Sequence, residues 1–265
     1  MLTVAGAFPA KRAVAVVGTR KPCAEAARFA FELAEALARA GVVVLSGGAL
    51  GIDAAAHRGA MAAQGATVCV AATGSHGVFP PEHAELFDRI VSSGGAMVWP
   101  FADDAEVARH HFFARNRVLV ALSEAVVVVQ APIPSGALNA AFWAKKLGRR
   151  LFVVPASPWT PRFAGSMSLL EGGALAATSI GFVLSSLGLG TRSRHGSEPL
   201  FPMLSKLAPS ERKVLESLEE SAMHADEIAL RSGLGSSVVS TALLTLALEG
   251  AVEEGPSGFY RRRTL

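Results

Sequence analysis

The 265-residue chain is 51% hydrophobic and 18% charged, which excludes a disordered protein and supplies core for one large domain plus a small one. Its two cysteines, Cys23 and Cys69, exclude a disulfide framework and fit a reducing compartment. The net charge of +3 is uneven: residues 1–190 carry 16 basic and 12 acidic side chains, whereas residues 191–265 carry 9 and 10. The N-terminal stretch MLTVAGAFPAKRAVAVVG lacks a signal-peptide pattern and no run of 18 apolar residues occurs, so a cytoplasmic protein without a membrane span is expected.

Six short Val-rich runs predict strands at Ala13–Val17, Val42–Leu45, Thr67–Ala71, Ala96–Val98, Ala125–Val129 and Leu151–Val154. They are apolar throughout, as strands buried on both faces of a parallel sheet must be. Helix-like stretches separate them. In the first, Phe29, Leu33, Ala34 and Leu37 share one face, Arg28, Glu32, Glu35 and Arg39 lie largely on the other, and Gly41 ends it. The expected fold is α/β, a doubly wound, mostly parallel Rossmann-like sheet over residues 1–190, with ligands outside the carboxyl ends of its strands. Gly, Ser and Pro then mark a linker, placed at 191–203. In 204–265, helices opening at Pro209 and spanning 224–232 and 236–248 precede two strands around Gly255-Pro256-Ser257-Gly258, which predicts a small winged-helix domain.

Three loops at strand ends are candidate anion sites, because helix N-termini and glycine-rich turns aim N–H groups at one point. Gly18-Thr19-Arg20 follows the first strand and adds a guanidinium; the plain alternative is an ordinary turn with a surface arginine. Ser46-Gly47-Gly48-Ala49-Leu50-Gly51 follows the second strand, and Ser135-Gly136 opens a later helix. Neither G-x-G-x-x-G after the first strand nor G-x-x-x-x-G-K-[ST] is present, which disfavours a dinucleotide cofactor and NTP hydrolysis. Asp53 reads as a cap for the second loop, and His57 as a hydrogen-bonded core residue. In Phe112-Phe113-Ala114-Arg115-Asn116-Arg117, guanidinium groups suit phosphates and an aromatic face suits a base. The competing reading buries the phenylalanines and pairs an arginine with Asp103 or Asp104. Lys145, Lys146, Arg149 and Arg150 suit the C-terminal end of a helix dipole. The candidate DNA-binding set is Thr19, Arg20, Ser46, Gly47, Gly48, Gly51, Phe112, Arg115, Asn116, Arg117, Ser135 and Gly136. No metal site, cofactor, nucleophile or general base stands out, so no enzymatic activity is expected.

These motifs, in this order, resemble the DNA-processing protein A family (DprA, also called Smf). The resemblance rests on Gly18-Thr19-Arg20, on Ser46 to Asp53 with Ala56-His57, on Phe112 to Arg117, on Ser135-Gly136-Ala137-Leu138 and on Gly165 to Ala174. Four positions depart from the family pattern: Leu50 replaces arginine, Phe113 proline, Gln130 glutamate and Met167 asparagine. The resemblance implies a cytosolic homodimer that binds single-stranded DNA and loads RecA recombinase during natural transformation. The alternative is a Rossmann-like nucleotide-processing enzyme related to lysine-decarboxylase-like phosphoribohydrolases, whose P-G-G-x-G-T segment this chain lacks. For the C-terminal part, the acidic balance and the sparse basic residues of Ser236–Leu248 favour binding of protein over duplex DNA.

Overall fold

A computed structural model of the chain describes residues 2–9, 11–157, 159–189, 207–218, 222–248, 251–255 and 258–262. The expected linker at 191–203, the turn residues Pro256 and Ser257, and Arg263 lie outside the described residues. The chain divides into two units, Met1–Thr191 and Arg192–Leu265.

Alternation along each strand builds the larger unit. In β2 (Ala13–Val17) every residue is buried. Val14 and Val16 pack toward α1 (Ala24–Arg39) and α2 (Ile52–Ala62), whereas Ala15 and Val17 pack toward α4 (Arg109–Ala121) and α5 (Gly136–Lys146). The same two-sided division recurs in β3 (Val43–Ser46) and β6 (Ala125–Val128). A strand buried on both faces has no polar side, which is why these segments read as unbroken Val and Ala. α3 (Ala84–Ser92) adds Leu86, Phe87 and Ile90 against β4 (Thr67–Val70) and β5 (Ala96–Trp99).

The strand order is β1-β5-β4-β3-β2-β6-β7-β8, with β7 at Arg150–Val153 and β8 at Leu175–Ala176. All neighbours are parallel except β1 (Thr3–Gly6), which pairs antiparallel with β5 from Thr3↔Trp99 to Gly6↔Ala96. All six strands expected from the sequence form, and the fold is the doubly wound α/β sheet. The edge strands β1 and β8 lie outside the sequence expectation: neither carries a Val run, and β8 is only 2 residues long. The chain winds outward from β2 through β3 and β4 to β5, then returns to place β6 beside β2, with Val17 opposite Val128. That reversal is the switch point of the sheet. The helices following β2 and β6 pack on opposite faces, so the two loops diverge and leave a crevice between them.

The smaller unit is the expected winged helix. After α6 (Ala164–Glu171) and α7 (Ile180–Ser186) of the larger unit, α8 (Pro209–Ser217), α9 (Ala225–Ser232) and α10 (Ser236–Leu248) enclose Val214, Leu215, Ile228, Leu243 and Leu246. A three-stranded sheet, ordered β10 (Val252–Glu254), β11 (Phe259–Arg262) and β9 (Met223–His224), completes it. Pro209 at the first turn and the Glu211 carboxylate, accepting from the Ala208 N–H at 2.7 Å, fix the start of α8. Among the described residues no single helix is long and apolar enough to cross a membrane.

Candidate nucleic-acid interface

The crevice at the switch point is a groove of about 870 Å³. Its walls come from three directions: Gly18 to Pro22 after β2, the start of α4 with Arg109, Phe112 and Phe113, and Pro132 to Gly136 after β6. Arg162, from the segment after β7, closes the rim. Arg20, Lys21, Arg109 and Arg162 are exposed, while the one lining carboxylate, Asp53, is buried. The exposed charge of the groove is therefore all positive.

Gln130 joins the two loops that form the crevice. Its carbonyl accepts from the Thr19 N–H at 2.8 Å, and its side-chain oxygen accepts from the Cys23 N–H at 3.0 Å, at the start of α1. A glutamate at this position would give the same acceptor with a negative charge; the amide keeps the bond and leaves the groove without that charge. The Lys21 N–H donates to Thr19 Oγ1 at 3.2 Å, holding the turn that presents Arg20. The Arg20 guanidinium lies 4.9 Å from the centre of the Phe112 ring, whose edge contact with Phe79 is at 5.6 Å. The Arg20 guanidinium thus occupies one face of the Phe112 ring, which lines the groove. Phe113 is the exposed aromatic, at 43%.

The glycine-rich loop after β3 is clamped from every side, and the expectation that it forms an open phosphate cradle is corrected by its geometry. Ser46 Oγ donates to the Val16 carbonyl at 2.6 Å. The Gly47 and Ala49 N–H groups donate to Asp53 Oδ2 at 3.1 and 3.3 Å, and the Ile52 N–H donates to the Thr19 carbonyl. His83 Nδ1 donates to the Gly48 carbonyl at 2.8 Å. Three N–H groups at this helix N-terminus, those of Gly47, Ala49 and Ile52, are thus satisfied internally. A side chain at Gly47 would enter the Arg115 guanidinium, one at Gly48 the Cys69 sulfur, and one at Gly51 the backbone of Thr19 and Arg20. Gly51 also has φ +80°, a region that favours glycine.

Arg115 is 5% exposed, its Nη1 bonded to the Val70 carbonyl, and the expectation that it grips a phosphate is corrected. Burial lowers its pKa, opposed by the charge of Asp53; an arginine stays protonated nonetheless. Burial raises the pKa of Asp53, and Arg115 together with the Ala49 and Gly47 amides pulls it back. The pair holds the floor of the groove. Asn116 is also turned inward, donating to the Gly136 carbonyl at 3.2 Å and to Asn139 Oδ1 at 3.3 Å, so it fixes α4 to the first turn of α5. Arg117 leaves the groove altogether and packs 5.2 Å from the Trp143 ring. Ser135 caps α5 through its Oγ, which accepts from the Ala137 N–H, and Gly136 is exposed at the groove. Of the expected set, Thr19, Arg20, Phe112, Arg115, Asn116, Ser135 and Gly136 line the groove; Ser46, Gly47, Gly48, Gly51 and Arg117 do not. Lys21, Arg109 and Arg162 were missed. Lys21 and Arg109 stand beside residues already singled out, whereas nothing in the sequence around Arg162 marks it.

His57 is fully buried beside this scaffold. Thr67 Oγ1 spends its proton on the Val44 carbonyl, so His57 Nδ1 must donate to Thr67 Oγ1 at 2.8 Å, which leaves Nε2 bare. Burial pushes the imidazole pKa from 6.5 to about 3, with nearby His83 and Arg115 acting the same way.

This Rossmann-like domain with a cationic groove at its switch point, followed by a winged helix, defines the class of protein. Residues 1–188 match the family model for DNA recombination-mediator protein A, and residues 199–258 match the DprA winged helix domain. The chain belongs to the DNA-processing protein A (DprA/Smf) family. It is 39% identical over 250 residues to a DprA-type DNA processing protein of Mycobacterium tuberculosis, an alignment covering 92% of this chain and 63% of that relative. The chain thus spans less than two thirds of that relative's length. DNA processing protein A from Helicobacter pylori, solved for its single-stranded DNA binding mode, superposes with a TM-score of 0.64 at 30% identity, over 70% of this chain and 86% of that one. DprA from Streptococcus pneumoniae superposes with a TM-score of 0.64 at 31% identity, over 69% and 65%.

Two outcomes test this geometry. Gly47→Ala forces the buried guanidinium off Val70 and is expected to destabilise the fold by about 1–3 kcal/mol. Gly136→Ala, with nothing within 4 Å of the new methyl, is expected to be neutral or slightly stabilising; equal urea midpoints for the two variants contradict the clamp. His57 gives a pH signature. Because its folded pKa is depressed, its contribution is complete above pH 6.5. It is lost as pH falls toward about 3, by about 1.4 kcal/mol per pH unit, as the unfolded chain takes up the proton. His57→Gln is expected to flatten the pH dependence of urea stability by close to one proton over that window.

Proposed function

We propose that this chain binds single-stranded DNA in the groove between β2 and β6, protects it, and delivers it to RecA recombinase during transformation and recombination. The observation that carries the reading is the charge of the groove: four exposed cations, Arg20, Lys21, Arg109 and Arg162, around a single buried carboxylate. Such a groove attracts a polyanion and gains affinity from counterion release, without reading base edges. Phe113, exposed among these cations, is the platform for an unpaired base, which a duplex does not offer. The H. pylori relative, described by its single-stranded DNA binding mode, supports the same ligand. The role is that of a binding protein and not a catalyst, acting in the cytoplasm. A second copy of the chain and the recombinase are the protein partners the resemblance implies.

The winged helix is assigned a protein partner. Ser236–Leu248 contains no Lys, Arg, Asn or Gln. Thr241 and Thr245 donate their hydroxyls back to the Ser237 and Thr241 carbonyls, while Val238 and Leu244 are exposed. A helix that reads a major groove presents donors and acceptors to base edges, and this one spends two of its hydroxyls on its own backbone.

Affinity for oligo(dT) measured across a salt series tests the DNA reading. Arg20→Ala is expected to weaken binding and lower the slope of log affinity against log salt by about 0.7, the share of one phosphate contact on a single strand. Affinity and slope equal to the unaltered protein exclude the groove as the binding site.

A further inference from the structure

Trp159 is 86% exposed, the most solvent-exposed of the large hydrophobic residues described. Tryptophan is highly buried on average, so an indole left almost wholly in water asks for an occupant. It stands on the segment that follows β7, at the same carboxyl edge as the groove, three residues before Arg162. Two turns, Thr160 N–H to the Ser157 carbonyl at 3.0 Å and Phe163 N–H to the Thr160 carbonyl at 2.9 Å, keep this stretch compact. Its far end is fastened to the loop after β6: the Ser166 N–H donates to the Ala131 carbonyl at 3.1 Å, and the Ala131 N–H donates to Ser166 Oγ at 3.0 Å. Gly165 lies so close that a side chain there would meet the Ala131 and Pro132 carbonyls. The indole is therefore carried on a braced rim of the groove.

Resting on the reading that the groove holds single-stranded DNA, we propose that the strand continues past the groove over this rim. Trp159 stacks on one of its bases, and Arg162 holds the adjoining phosphate. Charge favours this occupant. Residues 154–170 contain one cation, Arg162, and no carboxylate, so nothing on the rim repels a phosphodiester chain. Ile133, 62% exposed on the neighbouring loop after β6, adds apolar surface along the same edge. A cation beside an exposed aromatic, continuous with a cationic groove, is what an unpaired strand uses: backbone on charge, bases on rings.

The test uses the full chain and oligo(dT). Trp159→Ala is expected to weaken binding about tenfold with the salt slope unchanged, because no phosphate contact is removed. Trp159→Phe restores most of the affinity while removing the fluorescence change that a stacked base induces. Arg162→Ala is expected to lower the salt slope by about 0.7. Trp159→Ala binding as tightly as the unaltered protein overturns the proposal, and so does an affinity loss accompanied by a change in sedimentation, which assigns the indole to a second copy of the chain. The groove reading fails separately: if Arg20→Ala is also without effect, the strand does not lie at the switch point at all.

Discussion

The reversal of strand order between β5 and β6 is the constraint from which the site follows. Because β6 lies beside β2 while their helices pack on opposite faces, two loops must part at the carboxyl edge. The gap between them needs no special residues to exist. It needs residues to be held open at a fixed width and to be given a sign. Gln130 does the first by bonding both Thr19 and Cys23 across the gap. The cations around its mouth do the second.

Beneath the groove, the buried pair of Asp53 and Arg115 works as scaffold. Two opposite charges in the interior give little net stability once desolvation is counted, and each offsets part of the other's desolvation cost. Here Asp53 gathers two loop amides, and the Arg115 guanidinium fills the space that a side chain at Gly47 would take. The loop after β3 is rigid for that reason, and the neighbouring loop that carries Arg20 rests on it through Gly51 and Ile52. The proposed contact with DNA thus depends on two buried charges beneath the groove.

Much of the fold was legible in the sequence because burial on both faces leaves a plain mark: six Val-rich runs, six strands. The order of those strands was not, since pairing depends on which helices cover which face. The site was legible only in part. Dense glycines after β3 announced a close approach, and the sequence does not say by what; the approaching group is a guanidinium of the same chain. Residues 115 to 117 looked like one cluster, yet successive helical positions point about 100° apart. Two of them turn inward and the third reaches α5. Arg162 and Trp159 join the edge through Ser166 and Gly165, contacts between segments more than 30 residues apart that no local pattern announces. Gln130 was noted as a departure from the family, but its role as a bridge across the crevice appears only in three dimensions.

Amide hydrogen exchange with and without oligo(dT) tests the central claim most directly, because it separates a clamped scaffold from an open groove. The account requires the Gly47, Ala49 and Ile52 amides within residues 47–52 to be protected in the free protein and unchanged by DNA, while new protection appears at 18–22, 109–113 and 132–136. Rapid exchange at 47–52 in the free protein, with protection gained there when the strand binds, contradicts it: the glycine loop is then the cradle, and the groove at the switch point is not.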